Sequence, residues 1–402
     1  MTALLNSPES ADYGITMPGT PAEQARAALA VLGLGQGWRK GEALVSRRIW
    51  RRLVARARAA SGTVVVSSEF LCEADPLAIE RIVEDLGSDD LRVVVTLRPL
   101  SKILPSAWQQ YLKSGHALPY EQWLQAVLAD PPKRTVTPSF WRRHDHAAVV
   151  ERWATAVGPE RMNIVVIDDA DRGLVLRAFD DLLGLPTGTL AESPADRQNR
   201  SMTAAEAELF RRVNSVVRNT DVTWAEYADL MRYGAILRSV ERYTPPRDAS
   251  KMTTPAWALD RATELGAGYV TAIDALRPSG LRVVGDLDLL AKPVAPAMNG
   301  ATTTPTEIPI DVAVEALLGV VARATAGTLY FPDEPEKLTP GLPGSDAISI
   351  RRLPADKLTS RQLADLLNVR VRAGLRRRRR DVLNRLPKIG GSEPEVEPEA
   401  ES

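Results

Sequence analysis

Glu69 and Arg98 are the two residues best placed for chemistry. Each comes directly after a short β-branched run: Thr63-Val-Val-Val66 leads through Ser67-Ser68 to Glu69, and Arg92-Val-Val-Val-Thr-Leu97 leads to Arg98-Pro99. A carboxylate within hydrogen-bond reach can take the proton of an acceptor hydroxyl. A guanidinium can hold an oxyanion through two parallel N–H groups, and Ser106, further along the chain, can add a hydroxyl donor. Plainer roles stay open. Arg98 can cap the sheet edge by pairing with a helix carboxylate, and Glu69 can cap backbone donors in the turn after its strand.

The elements around these residues decide whether they meet. Ile79, Ile82, Val83 and Leu86 recur at i, i+3, i+4 and i+7, the mark of one helix face. A second helical stretch runs from about 104 to 113. The order is strand, helix, strand, helix, so the two strands should lie parallel with a right-handed crossover. A third apolar strand, Ile164–Ile167, ends at Asp168-Asp169-Ala-Asp171, and Gly184 and Pro186 stop the helix after it. The acids are expected to cap that helix, where its dipole favours negative charge. The expected fold is α/β: a mainly parallel sheet carrying 63–66, 92–97 and 163–167, flanked by helices. Arg282-Val-Val-Gly-Asp286 is a candidate further strand, Asp145 is a candidate N-cap, and the capping boxes Thr203-Ala-Ala-Glu206 and Thr223-Trp-Ala-Glu226 are expected to open helices over about 204–218 and 224–242. In such sheets ligands bind at the carboxyl ends of the strands, which puts Glu69 and Arg98 at one edge.

Three blocks in order resemble the sulfotransferases that use 3′-phosphoadenosine 5′-phosphosulfate (PAPS). They are Ser67-Ser-Glu69, the Arg98-to-Ser106 spacing, and Asn163-Ile-Val-Val-Ile-Asp168-Asp169 with Leu176, Phe179, Leu183 and Gly184 downstream. The likeness covers about residues 60 to 205. It implies a three-layer sheet of the P-loop nucleoside triphosphate hydrolase type, with a helical C-terminal extension. It implies Glu69 as catalytic base, and Arg98 and Ser106 on the nucleotide 3′-phosphate. A late basic loop holding Arg197 and Arg200 would make further nucleotide contacts. That loop lacks the glycine-lysine form of the vertebrate cytosolic branch and suits the looser bacterial branch better. His144 and His146, before a Trp-bearing helix, would meet the acceptor, a hydroxyl of a glycan, lipid or small molecule; read from the residues alone, His146 can instead pack or hydrogen-bond within the helix start. The family also opens with a strand and a Lys-Ser/Thr phosphate loop. Here Tyr13-Gly-Ile-Thr-Met-Pro-Gly19 resembles the segment after the family's first helix, so that strand and loop are expected to be missing and activity to be impaired. Gly33-Leu-Gly35-Gln-Gly37 has no Lys-Ser/Thr after it and reads as a loop. An inactive binding or regulatory protein of the same fold is the alternative.

Composition narrows the field. Among 402 residues, Lys+Arg and Asp+Glu both number 51, which gives no global signal for nucleic acid. Cys72 is the single cysteine, and the histidines are His116, His144 and His146, so an intrachain disulfide is excluded. His144-Asp-His146 has no supporting third ligand in sequence, and no metal is expected. The N-terminus lacks a secretory pattern, and no apolar run reaches the roughly 18 residues of a membrane span; a cytoplasmic protein is expected. The expected organisation is a sulfotransferase-like domain over 1–291, a Pro/Thr/Ala linker over 292–309, a helical extension over 310–389, and an acidic, Pro-interleaved tail over 390–402. Within the extension, Leu363, Leu366, Leu367, Val371 and Leu375 stripe a helix that carries the run Arg376–Arg380. Such a helix fits an anionic membrane surface or docking onto the domain.

Overall fold

The computed structural model describes residues 12–35, 44–87, 90–190, 200–294 and 305–325. Among the described residues the strands are β1 (Ile15–Thr16), β2 (Thr63–Val64), β3 (Val93–Leu97), β4 (Met162–Val166) and β5 (Arg282–Val284), all short. The helices up to His144 are α1 (Pro21–Leu32), α2 (Arg47–Ala59), α3 (Pro76–Leu86), α4 (Leu100–Lys113), α5 (Tyr120–Val127) and α6 (Ser139–His144). After them come α7 (His146–Val157), α8 (Leu174–Leu182), α9 (Ala204–Val217) and α10 (Trp224–Tyr227). A π-helical segment, Ala228–Ile236, joins α10 to α11 (Leu237–Arg242), and α12 (Ala256–Asp274) and α13 (Ile310–Ala324) complete the series.

Every strand pair is parallel. β4 is central in a three-stranded sheet of order β3-β4-β5, with Val93 opposite Met162 and Leu97 opposite Val166. The pleat sends alternate residues to one face. Val93, Val95 and Leu97 join Met162, Ile164 and Val166 against Val149, Val150, Trp153 and Val157 of α7, Ile79 and Ile82 of α3, and Tyr269 and Ile273 of α12. A smaller cluster gathers Leu176 and Phe179 of α8 with Ile15, Met17 and Val65. A second large core joins α4, α5, α6 and α9 through Leu104, Trp108, Trp123, Phe140 and Phe210.

Sequence reading and structure part at three places. β2 does not join the sheet of β3 and β4; it pairs with Ile15–Thr16 as a separate two-stranded ribbon. Only its first two residues reach a ladder, and Ser67 N–H turns instead to the buried Gln24 side chain at 2.7 Å. The acids after β4 do not cap a helix: α8 begins only at Leu174, with no side-chain cap. Asp168 closes its own turn on Ala170 N–H, Asp169 faces Arg98, and Asp171 pairs with Arg177. The helix expected over 224–242 has a π-helical interior. Its start is still set by the reciprocal Thr223–Glu226 capping box, as that of α9 is by Thr203–Glu206.

Helix α13 lies against the π segment. Backbones approach so closely that a Cβ added at Gly319 would overlap the Gly234 carbonyl oxygen. Arg238–Glu315 at 2.9 Å and Arg323 Nε donating to Tyr233 O at 3.2 Å pin the crossing. The arginine-rich helix, the acidic tail and Arg197 lie outside the described residues. Among the described residues, no helix is long and apolar enough to cross a membrane.

Candidate functional site

Helix α4 starts two residues after Arg98, and one of its faces forms the floor of a cleft. Ile103, Ser106, Ala107, Gln110, Tyr111 and Ser114 all line it. Their spacing keeps them on one face, and at 1.5 Å rise per residue they extend over about 16 Å. The cleft has a volume of about 1010 Å³. It opens past the carboxyl end of β3, where Val95, Thr96, Leu97 and Arg98 contribute to its wall. Glu69, Arg98, Ser106, His144 and His146 all line it, so residues spread over three segments of chain converge there. Arg200 is not among the lining residues. Its guanidinium is bound by the fully buried Glu206 at 2.7 and 2.8 Å and by the carbonyls of Ser239 and Tyr243, which ties α9 to α11.

The charge balance of the lining is positive: Arg98, Arg142, Arg143, Arg218 and Arg232 stand against Glu69 and Glu73. The two glutamates share a 3-10 helix, Glu69–Glu73, that Ser68 opens by accepting from Phe70 N–H. Glu73 points inward, its side chain 3% exposed, and accepts three guanidinium N–H groups. Arg142 supplies two of these bonds at 3.2 and 3.0 Å and Arg143 the third at 2.6 Å. Three of its roughly four acceptor positions are therefore engaged. Arg152 fastens the same turn to α6 by donating to the carbonyls of Cys72, Ala74 and Arg142. Glu69 remains at the surface of the cleft, 76% exposed and 3.7 Å from Arg143 Nη1. Arg143 also lies 4.7 Å over the Phe70 ring, so its charge is held in place beside Glu69.

Arg98 is half-buried, with Nη2 at 2.8 Å from Asp169 and Nε buried without a partner. Lys102 reaches the other Asp169 oxygen at 3.6 Å. The first turn of α4 has no side-chain cap, so its backbone N–H groups and positive dipole end lie beside these two cations. Ser106 Oγ donates to Ile103 O at 2.8 Å and keeps its lone pairs for other donors.

All three histidines border the cleft. Burial, reinforced by His146 and Arg143, pushes His144 down to about 3; burial pushes His146 to about 4, and burial with Arg218 pushes His116 to about 4. All are therefore neutral near pH 7. The His144 ring packs on Phe140 at 4.9 Å and that of His146 on Tyr269 at 5.0 Å. His146 Nδ1 and His116 Nε2 are buried without a hydrogen-bond partner. Among the described residues, no group of histidine, cysteine and acidic side chains is arranged to hold a metal ion.

Comparisons with protein families, with curated proteins and with solved structures return no match. The site therefore rests on its own geometry. Sequence reading overlooked Glu73, Arg142, Arg143, Arg218, Arg232, Trp224 and Tyr233 as cleft residues. The Glu69/Glu73 spacing and the Arg142-Arg143 pair were visible signals; the contribution of Arg218 and Trp224 depends on how α9 and α10 pack and left no local mark.

Proposed function

We propose that the cleft holds a 3′-phosphorylated adenine nucleotide at Arg98 and presents an acceptor hydroxyl to Glu69, in PAPS-dependent sulfuryl transfer. The observation that carries this reading is the convergence of Glu69, Arg98, Ser106, His144 and His146 on one arginine-lined cleft. Arg98, Lys102 and the uncapped start of α4 supply what a 3′-phosphate requires: a guanidinium, a second cation and free backbone N–H groups. In the transfer, the acceptor oxygen forms a bond to sulfur as its proton passes to the Glu69 carboxylate. The bond from sulfur to the bridging phosphate oxygen breaks, and adenosine 3′,5′-bisphosphate leaves. Arg143, fixed by Glu73 and Phe70, supports negative charge developing on the sulfuryl oxygens. Neutral His144 can hydrogen-bond the acceptor.

A second reading, binding without transfer, is favoured by one observation. Glu69 is 76% exposed and faces Arg143 at 3.7 Å, whereas a general base is strengthened by burial. Calorimetry with adenosine 3′,5′-bisphosphate and with adenosine 5′-monophosphate tests the shared part. Arg98→Ala should weaken only the first; equal loss of both, or no binding of the bisphosphate by the unaltered chain, would overturn the nucleotide assignment. Sulfate transfer that survives Glu69→Gln would remove Glu69 as base.

A further inference from the structure

The far end of the cleft, beyond Tyr111, has a different chemistry from the Arg98 end. Ser114, Gly115 and His116 lie just past the end of α4, Arg218 caps α9, Trp224 opens α10, and Arg232 and Tyr233 come from the π segment. No acid from these elements lines the cleft; its two lining acids, Glu69 and Glu73, sit on the separate 3-10 helix. Arg232 donates to the Ser114 hydroxyl at 3.1 Å and lies 5.8 Å over the Tyr233 ring, both neutral partners. Burial and Arg232 together push the Lys113 ammonium below its ordinary value, and His116 Nε2 is buried against the cleft without a partner. Arg232, held by a hydroxyl and a ring, keeps its charge for an anion, and Arg218 lines the same end. Trp224 and Tyr233 add flat aromatic surface with polar edges.

This end is built firmly. Asn214 Nδ2 donates to Leu112 O and His116 O at 2.9 Å, and Tyr227 O–H donates to Asn214 Oδ1 at 2.7 Å. That network joins α4, α9 and α10 around the His116 turn. Arg143, 3.7 Å from Glu69 and 2.6 Å from Glu73, lines the same cleft, so the proposed base and this end share one cavity.

We infer that the far end is a subsite for a ring that carries both a carboxylate and a hydroxyl, with Arg218 and Arg232 on the carboxylate and Trp224 and Tyr233 against the ring face. The subsite deepens the proposed transfer, since it would hold the acceptor with its hydroxyl toward Glu69. Its binding is nonetheless separate from that of the nucleotide. The shared chemistry has two sources, a uronate-bearing saccharide and an aromatic hydroxy acid.

The test is calorimetry on the full chain, without nucleotide, using a glucuronate-containing disaccharide and 4-hydroxybenzoate as probes, with a glucose disaccharide and phenol as uncharged controls. One acidic probe should bind, its affinity falling with salt, while its uncharged control binds about tenfold more weakly or not at all. Arg232→Gln, which retains a donor for Ser114, and Trp224→Ala should each weaken the acidic probe about tenfold or more. Arg98→Ala should leave it unchanged. Thermal melting of each variant separates lost binding from lost fold. Binding of neither acidic probe, equal binding of the uncharged control, or full affinity in a folded Arg232→Gln protein would overturn the subsite. Acidic-probe binding with no bisphosphate binding would leave the subsite standing and remove the nucleotide reading; the reverse would remove the subsite alone.

Discussion

Arg98 and Asp169 face each other at 2.8 Å from the ends of adjacent parallel strands, with side chains 40% and 49% exposed. Asp169 thereby supplies negative charge where the uncapped start of α4, Arg98 and Lys102 gather positive charge. A pair this exposed is worth about 0–1 kcal/mol, so an incoming phosphate can replace the carboxylate at little cost. Asp169→Asn should therefore tighten adenosine 3′,5′-bisphosphate binding about threefold to fivefold, read by calorimetry. Weaker binding would mean that Asp169 orients Arg98 for the ligand instead of competing with it.

Glu69→Gln keeps the shape of the side chain and removes its basicity. In the proposed transfer, the rate with saturating acceptor should fall by about 100- to 10,000-fold, while bisphosphate affinity stays within error. Single-turnover sulfate transfer measures the first and calorimetry the second. Loss of both would assign Glu69 to ligand binding.

Glu73 and Glu69 occupy one short helix but should behave oppositely. Removing the buried Glu73 leaves Arg143, whose side chain is only 23% exposed, with only the solvent-exposed Glu69 at 3.7 Å as counter-charge. Glu73→Ala should cost about 3–5 kcal/mol of stability in urea unfolding. Glu69→Ala, at the surface, should cost under about 1 kcal/mol. Similar losses for the two would show that solvent compensates Arg143.

Three depressed imidazoles make the fold acid-sensitive. His116 and His146 titrate at about 4 and His144 at about 3 in the folded chain, against 6.5 ordinarily. The unfolded chain thus binds more protons between those values. Stability is full above about pH 6.5 and declines as pH falls toward 4 and 3, at about 1.4 kcal/mol per pH unit for each group once its unfolded form is protonated. Urea unfolding from pH 7.5 to 4.5 should show this. His146→Phe should make the decline shallower by close to one proton, and an unchanged slope would mean that His146 is not kept neutral by burial.

Gly319 has no room for a side chain, because the Gly234 carbonyl oxygen lies where its Cβ would be. Backbone cannot give way as a flexible side chain can. Gly319→Val should lower stability by roughly 1–3 kcal/mol. Gly268→Ala, where an added Cβ meets nothing within 4 Å, should not destabilise. Differential scanning calorimetry compares the two; an unperturbed Gly319→Val protein would show that α13 can shift on the π segment.

Much of this architecture is local and so legible in sequence. The runs 92–97 and 163–167, the Thr203–Glu206 and Thr223–Glu226 capping boxes and the Asp145 cap each depend on residues a few positions apart. The helix at Ile79–Leu86 is likewise written in its own spacing. These signals also put Glu69 and Arg98 after their β-branched runs, in the parallel α/β setting where sites form. Pairing was not local. β2 took Ile15–Thr16 as partner because strand choice depends on which backbones lie alongside, and two residues carry too little pattern to announce it. Charge pairing was also decided in three dimensions. Asp169 is 71 residues from Arg98 and Glu73 is 70 from Arg143. Each acid's role came from the guanidinium that packing set beside it, and the packing of α9 and α10 against the end of α4 brought Arg218, Trp224 and Arg232 into one cleft.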